Sequence, residues 1–177
     1  MPNWCNNNIE ITGPASKINE LWADARECEG LLNAMVPMPE RLKDTVKGSN
    51  GDADNWYDWA VKNWGTKWDV SLEGLEYTDN EDGTATISGW FDSAWAPPID
   101  CYNQFQEANS DCTVNGSYYE MGCDFAGFYD NGDDEYLEGL SDEARLPEEE
   151  RSDLFKRLDD EWNLSEQIAE WDEDEVL

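Results

Sequence analysis

Five stretches of this chain alternate apolar and polar side chains, and that alternation restricts the fold more than any other feature. Cys5, Asn7, Ile9 and Ile11 alternate with Asn6, Asn8, Glu10 and Thr12. Trp68, Val70 and Leu72 alternate with Asp69, Ser71 and Glu73, and Ala85, Ile87, Gly89 and Phe91 with Thr84, Thr86, Ser88 and Trp90. Val114, Gly116 and Tyr118 then alternate with Asn115, Ser117 and Tyr119, and Cys123, Phe125, Gly127 and Tyr129 form the fifth run. Period two puts alternate side chains on opposite faces, so each run predicts a half-buried strand. Asp79-Asn80-Glu81-Asp82-Gly83 supplies the turn of a hairpin.

Between these runs the spacing turns helical. Ser16 is read as an N-cap, after which Ile18, Leu21, Trp22 and Ala25 share one face as far as Glu27. Pro97-Pro98 opens a second helix with Ile99, Tyr102, Phe105 and Ala108 on its apolar side. Asn63 to Asp69 is the joint between a short helix, Trp56 to Val61, and the strand after it. Gly65 there accepts positive φ, and Trp64 and Trp68 each offer a large ring to the core. Leu31-Leu32 and Met35-Val36 should pack, Pro37 and Pro39 interrupt regular structure, and Lys47 to Asn55 reads as an exposed loop. Asp52, Asp54 and Asp58 lack the oxygen pattern and distal Glu of a calcium loop, so no metal is expected.

The order βαββαβ plus an extra hairpin strand predicts an α+β protein. Its centre is a ferredoxin-like antiparallel sheet with both helices on one face, carrying a Trp-rich insertion and an acidic helical C-terminal extension. The division falls at 1–130 and 131–177, where composition shifts. Residues 130–177 hold 20 acidic and 4 basic side chains, a net −16 of the chain's −31. In that extension Pro147 can start a helix with Leu154, Phe155, Leu158 and Trp162 in one stripe. Glu149, Asp153 and Asp160 fall opposite it, and Asp153 can pair with Arg157. A last helix near Ser165 turns Ile168 and Trp171 inward.

A net charge of −31 repels phosphates and anionic membranes and attracts basic protein surfaces. Solubility or adaptation to high salt is the plain explanation; a surface shaped for a nucleic-acid-binding groove is the sharper one. Ten Trp, seven Tyr and five Phe argue for a packed core despite the charge. Five Cys without a CxxC pair, and no His, argue against a disulfide framework and a zinc site and imply reduced thiols. No apolar run approaches a membrane span, and no signal pattern opens the chain, so a cytosolic protein is expected.

Five phrases stand out: Met1-Pro2-Asn3-Trp4-Cys5-Asn6-Asn7, Val36-Pro37-Met38-Pro39-Glu40, Tyr57-Asp58-Trp59 leading into Asn63 to Asp69, Phe91 to Pro98, and Gly122 to Gly127. Together they resemble the YubB-type ferredoxin-like domain family of phage and plasmid proteins. The resemblance spans residues 1 to 130. It implies the ferredoxin-like fold, an origin in mobile elements and residence in a bacterial host cytoplasm, and carries over no catalytic role.

The chemistry is that of a binding protein rather than an enzyme. Cys5, Cys112 and Cys123 fall on apolar phases, an acidic surface raises thiol pKa values, and no phosphate-binding loop or dinucleotide fingerprint occurs. Direct nucleic-acid binding is disfavoured, because the open sheet face is expected to carry Glu10, Asp69, Glu73, Thr86 and Ser88 beside the single stacking platform Trp90. Imitation of a phosphate backbone fits better. Glu149, Asp153 and Asp160 on the tail helix, extended by Asp133, Asp134 and Glu135, are the residues expected to meet the basic groove of a host nuclease or restriction complex. The alternative is an adaptor that uses exposed aromatics near Trp56, Trp59 and Trp95. No cofactor is expected in either case.

Overall fold

The computed structural model describes residues 3–46 and 55–174. The Lys47–Asn55 loop, with Asp52 and Asp54, therefore lies outside the described residues except for Asn55. Six strands form one antiparallel sheet in the order β2-β3-β1-β4-β5-β6. They are β1 (Trp4–Pro14), β2 (Leu75–Asp79), β3 (Thr84–Ala94), β4 (Thr113–Glu120), β5 (Phe125–Asp130) and β6 (Asp133–Glu138). Helices α1 (Ala15–Cys28) and α5 (Ile99–Ala108) connect β1 to β2 and β3 to β4. The subset β2-β3-β1-β4 with these two crossovers is the ferredoxin-like arrangement, and the β5–β6 hairpin widens it. The insertion between α1 and β2 holds α2 (Leu31–Met35), α3 (Glu40–Lys43) and α4 (Trp56–Trp64).

Alternation explains the core. Cys5, Asn7, Ile9 and Ile11 are buried toward the helices, where Ile9 and Ile11 meet Ile87, Phe91 and Val114 from the neighbouring strands. Ile18 and Leu21 of α1 and Tyr102 and Phe105 of α5 close over them. Trp64 joins this core, donating from Nε1 to the Val36 carbonyl at 2.9 Å. Gly65 caps α4 with φ 83°, the left-handed conformation expected of it.

The run at 68–73 alternates but is not a strand; the edge strand begins at Leu75. Asp69 diverts the chain. Its carboxylate accepts from the Leu32 and Asn33 N–H groups at 2.7 and 2.9 Å, satisfying donors in the first turn of α2, and from Val70 N at 2.8 Å. Trp68 consequently stays 40% exposed instead of entering the core. Ser16 lies inside α1 rather than capping it; Pro14 occupies the cap position.

The C-terminal segment packs on the opposite face of the sheet. Its first element is a strand, β6, so the hairpin β5–β6 runs across position 130 and the extension is not purely helical. Three helices follow, α6 (Leu140–Arg145), α7 (Asp153–Trp162) and α8 (Leu164–Asp174). Leu140, Phe155, Leu158, Leu164 and Ile168 bury against Ala126, with Tyr119, Phe128 and Leu137 around them. Pro147 does not start α7; it precedes a single 3-10 turn, and Ser152 caps the helix by accepting from Phe155 N at 3.1 Å. Trp171 points outward, 55% exposed.

Candidate functional site

Helices α7 and α8 cover Tyr119, Ala126, Phe128 and Leu137 on β4, β5 and β6, so the β2-β3-β1 half of that face stays open and Asp130, Asp133 and Glu135 remain exposed at the far end of the other half. Strand register decides what it displays. Glu76, Ser88, Glu10, Asn115, Asp130 and Asp133 stand directly opposite one another across all six strands. At the usual strand spacing that row is about 24 Å long. A second row beside it runs Trp90, Asn8, Ser117, Phe128, Glu135. Glu10, Thr86, Ser88 and Trp90 thus occupy the open face as expected. Asp69 does not, being engaged by the N–H groups of α2, and Glu73 precedes the sheet.

Helix α7 forms one wall of a cleft of 510 Å³ over these rows, whose charged lining is Glu10, Asp130, Glu161 and Arg157. The wall is held by a small polar cluster. Ser117 Oγ donates to Glu161 Oε1, Asn8 Nδ2 donates to the same oxygen at 3.3 Å, and Trp162 Nε1 donates to Ser117 Oγ at 3.1 Å. Arg157 pairs with Glu135 at 2.7 Å and lies 4.7 Å over the Phe128 ring. Glu10, Asp130 and Asp133 make no ion pair among the described residues.

The six residues singled out from the sequence do not form one row. Asp133 and Glu135 share the open face, but strand alternation sends Asp134 to the other side, where it accepts from Tyr118 Oη at 2.6 Å. Asp134 is exposed as a residue, yet partial desolvation of its carboxyl beside Tyr118 holds it above its ordinary value, against the hydrogen bond, while the Tyr118 phenol is pushed up by burial and by Asp134. Glu149 lies in the 3-10 turn outside α7. Asp153 and Asp160 share a stripe of α7, but Lys156 and Arg157 fall between them at helical spacing, and Arg157 pairs with Glu135 instead of Asp153. The tail helix therefore carries no unbroken acidic line. Glu10, Glu76, Asp130 and Glu161 escape a sequence reading as a group because strands distant along the chain bring them together. Alternation places Glu10 alone.

A second feature lies at the edge near the start of β1. Trp4, Trp90 and Trp95 are 48%, 61% and 49% exposed, with Trp68 beside Trp4 at 6.1 Å between ring centres. Trp56 and Trp59, by contrast, are half-buried, and Trp59 packs edge-on against Trp64.

Four of the five thiols are poorly suited to nucleophilic work. Cys5, Cys101 and Cys112 are buried, and burial is the main cause raising each pKa. Cys123 is exposed, contrary to its apolar phase, and the Glu120 carboxylate holds its thiol up. Among the described residues no cluster of three or more Cys, Asp or Glu has the geometry to hold a metal ion, and no helix is long and apolar enough to cross a membrane.

No protein-family model matches the chain, and no curated protein matches it. Among solved structures it is similar to the crystal structure of a protein Api92 from Yersinia pseudotuberculosis, of family DUF1281. The two share 18% sequence identity at a TM-score of 0.41, over 63% of this chain and 39% of that one.

Proposed function

We propose that this is a non-enzymatic protein of a phage or related mobile element. It acts in the host cytoplasm by presenting its open sheet face to the basic groove of a host nucleic-acid-binding defence protein, as a substitute for the phosphate backbone. The observation that supports this is the cross-strand register of Glu76, Glu10, Asp130 and Asp133 on a rigid sheet. Strands fix the Cα positions that carry these carboxylates before binding, so the ordering entropy that opposes association is that of the side chains alone. Four charges in that length are sparser than one strand of B-DNA, which carries a phosphate per ~3.4 Å. Glu161 above the neighbouring row raises the density, whereas Glu135 is offset by its pair with Arg157. The role moves from the tail helix to the sheet, with Asp133 retained from the residues first singled out.

Charge reversal tests it. Glu10→Lys/Asp130→Lys changes the sheet face, whereas Glu20→Lys/Asp24→Lys makes the same net change on exposed positions of α1. Capture from bacterial lysate should retain nucleic-acid-binding proteins at low salt and lose them at high salt, and only the sheet variant should abolish capture. Equal losses from both variants, or capture indifferent to salt, would refute the sheet as the binding face.

A further inference from the structure

The tryptophan edge beside the acidic face has the chemistry of a cation receptor, and we propose that its Trp4–Trp90 cleft takes an arginine or lysine side chain from the basic partner. This rests on the reading of the sheet face as a surface for a basic groove. It adds a second, separable contact. The cleft encloses 380 Å³ and is lined by Trp4 and Trp90, with Glu73 and Asp92 as its available carboxylates, since the oxygens of Asp69 in its wall are taken by backbone N–H groups. An aromatic face attracts a cation through its quadrupole, and nearby carboxylates add a direct charge–charge attraction. The molecule already contains one such contact at this edge, since Lys67 Nζ lies 3.8 Å from the centre of the Trp68 ring.

The cleft is built rather than incidental. The Trp90 indole lies against Gly74, where an added Cβ would come within 2.7 Å of the ring. Trp90 N also donates to the Gly74 carbonyl at 3.0 Å, fixing the strand at that point. One indole face is therefore packed on backbone while the side chain remains 61% exposed. Asp92 is oriented by Asn6 Nδ2 at 2.7 Å. Charge complementarity names the occupant: an apolar partner would have to desolvate the surrounding carboxylates, whereas a guanidinium or ammonium group pairs with them.

The test uses the full chain with a hexa-arginine peptide and its uncharged hexa-citrulline counterpart, followed by calorimetry and by the indole N–H resonances. Hexa-arginine should shift the Trp4 and Trp90 signals, and hexa-citrulline should not. Trp90→Leu should weaken hexa-arginine roughly ten-fold, a size within the range for cation–π contacts. Trp90→Phe should recover part of the loss, and Trp171→Leu, an exposed tryptophan outside this cleft, should have no effect. If Trp90→Leu unfolds, Trp90→Phe and the resonances of the unaltered protein decide. Equal binding of both peptides, or unchanged affinity in Trp90→Leu, overturns the cation cleft. Should Glu10→Lys/Asp130→Lys abolish peptide binding while Trp90→Leu does not, the cleft fails and the acidic face stands. The reverse pattern keeps the cleft and removes the sheet.

Discussion

Asp69 shows how one side chain redirects a segment whose pattern reads as a strand. Its two oxygens accept three backbone N–H groups, two of them in the first turn of a helix 36 and 37 residues earlier in the chain. Asp69→Ala leaves those donors without partners, and chemical denaturation should show a loss of about 2–3 kcal/mol. Asp69→Asn should recover only part of it, because an amide brings its own donor toward Asn33 N–H. Desolvation holds the Asp69 carboxyl above its ordinary 3.8, outweighing the three hydrogen bonds. A raised folded pKa means the folded state binds the proton more tightly. The stability linked to it is full below 3.8 and is lost as pH rises through the raised value. The side-chain carboxyl resonance should titrate with a midpoint above 3.8, and a midpoint below it would contradict this. Little of this is legible locally, because the sequence around Trp68 to Glu73 carries unbroken period-two alternation and two of the residue's three partners lie in α2.

At the level of elements, legibility followed apolar periodicity. The strands β1, β3, β4 and β5 and the helices α1 and α5 each keep one buried face, and each is readable within a few residues. The strand β6 is not, because Asp133, Asp134, Glu135 and Glu138 leave only Leu137 half-buried and the rest exposed. Its pairing with β5 is what holds it, and register is a long-range property. The stripe of α7 is readable, yet the surface it covers is not. That surface is the Tyr119, Ala126 and Phe128 side of the sheet, which a bare ferredoxin-like domain would leave open. The C-terminal helices thereby split the open face and make one wall of the cleft. Phe155 is fully buried in that second core, so Phe155→Ala should cost about 3–5 kcal/mol. The same variant should weaken protection of the β5 and β6 amides against hydrogen exchange. Protection lost equally from β1 and β3 would mean the two cores do not separate.

Across the whole molecule, charge governs how the protein behaves. With 42 carboxylates and 11 cations, pairing every cation leaves the great majority of acids unneutralised, and self-repulsion opposes folding. Raising salt from about 0.01 to 0.15 M shortens the screening length from about 30 to 8 Å, so the thermal midpoint should rise over that interval. A midpoint that falls would mean ion pairs such as Arg151–Asp159 outweigh repulsion. Total charge is legible from composition, but its arrangement is not. Half of it lies in the last quarter of the chain, yet the ordered row draws on β1, β2, β5 and β6. The most direct test of that row is displacement by DNA. Proteins captured from bacterial lysate on the immobilised chain are challenged with duplex DNA and, separately, with an equal charge of free glutamate. Backbone imitation predicts that duplex DNA releases them at concentrations where glutamate does not, and that Glu10→Lys/Asp130→Lys captures none of them. Retention in the presence of saturating DNA, or release by both anions alike, would contradict it.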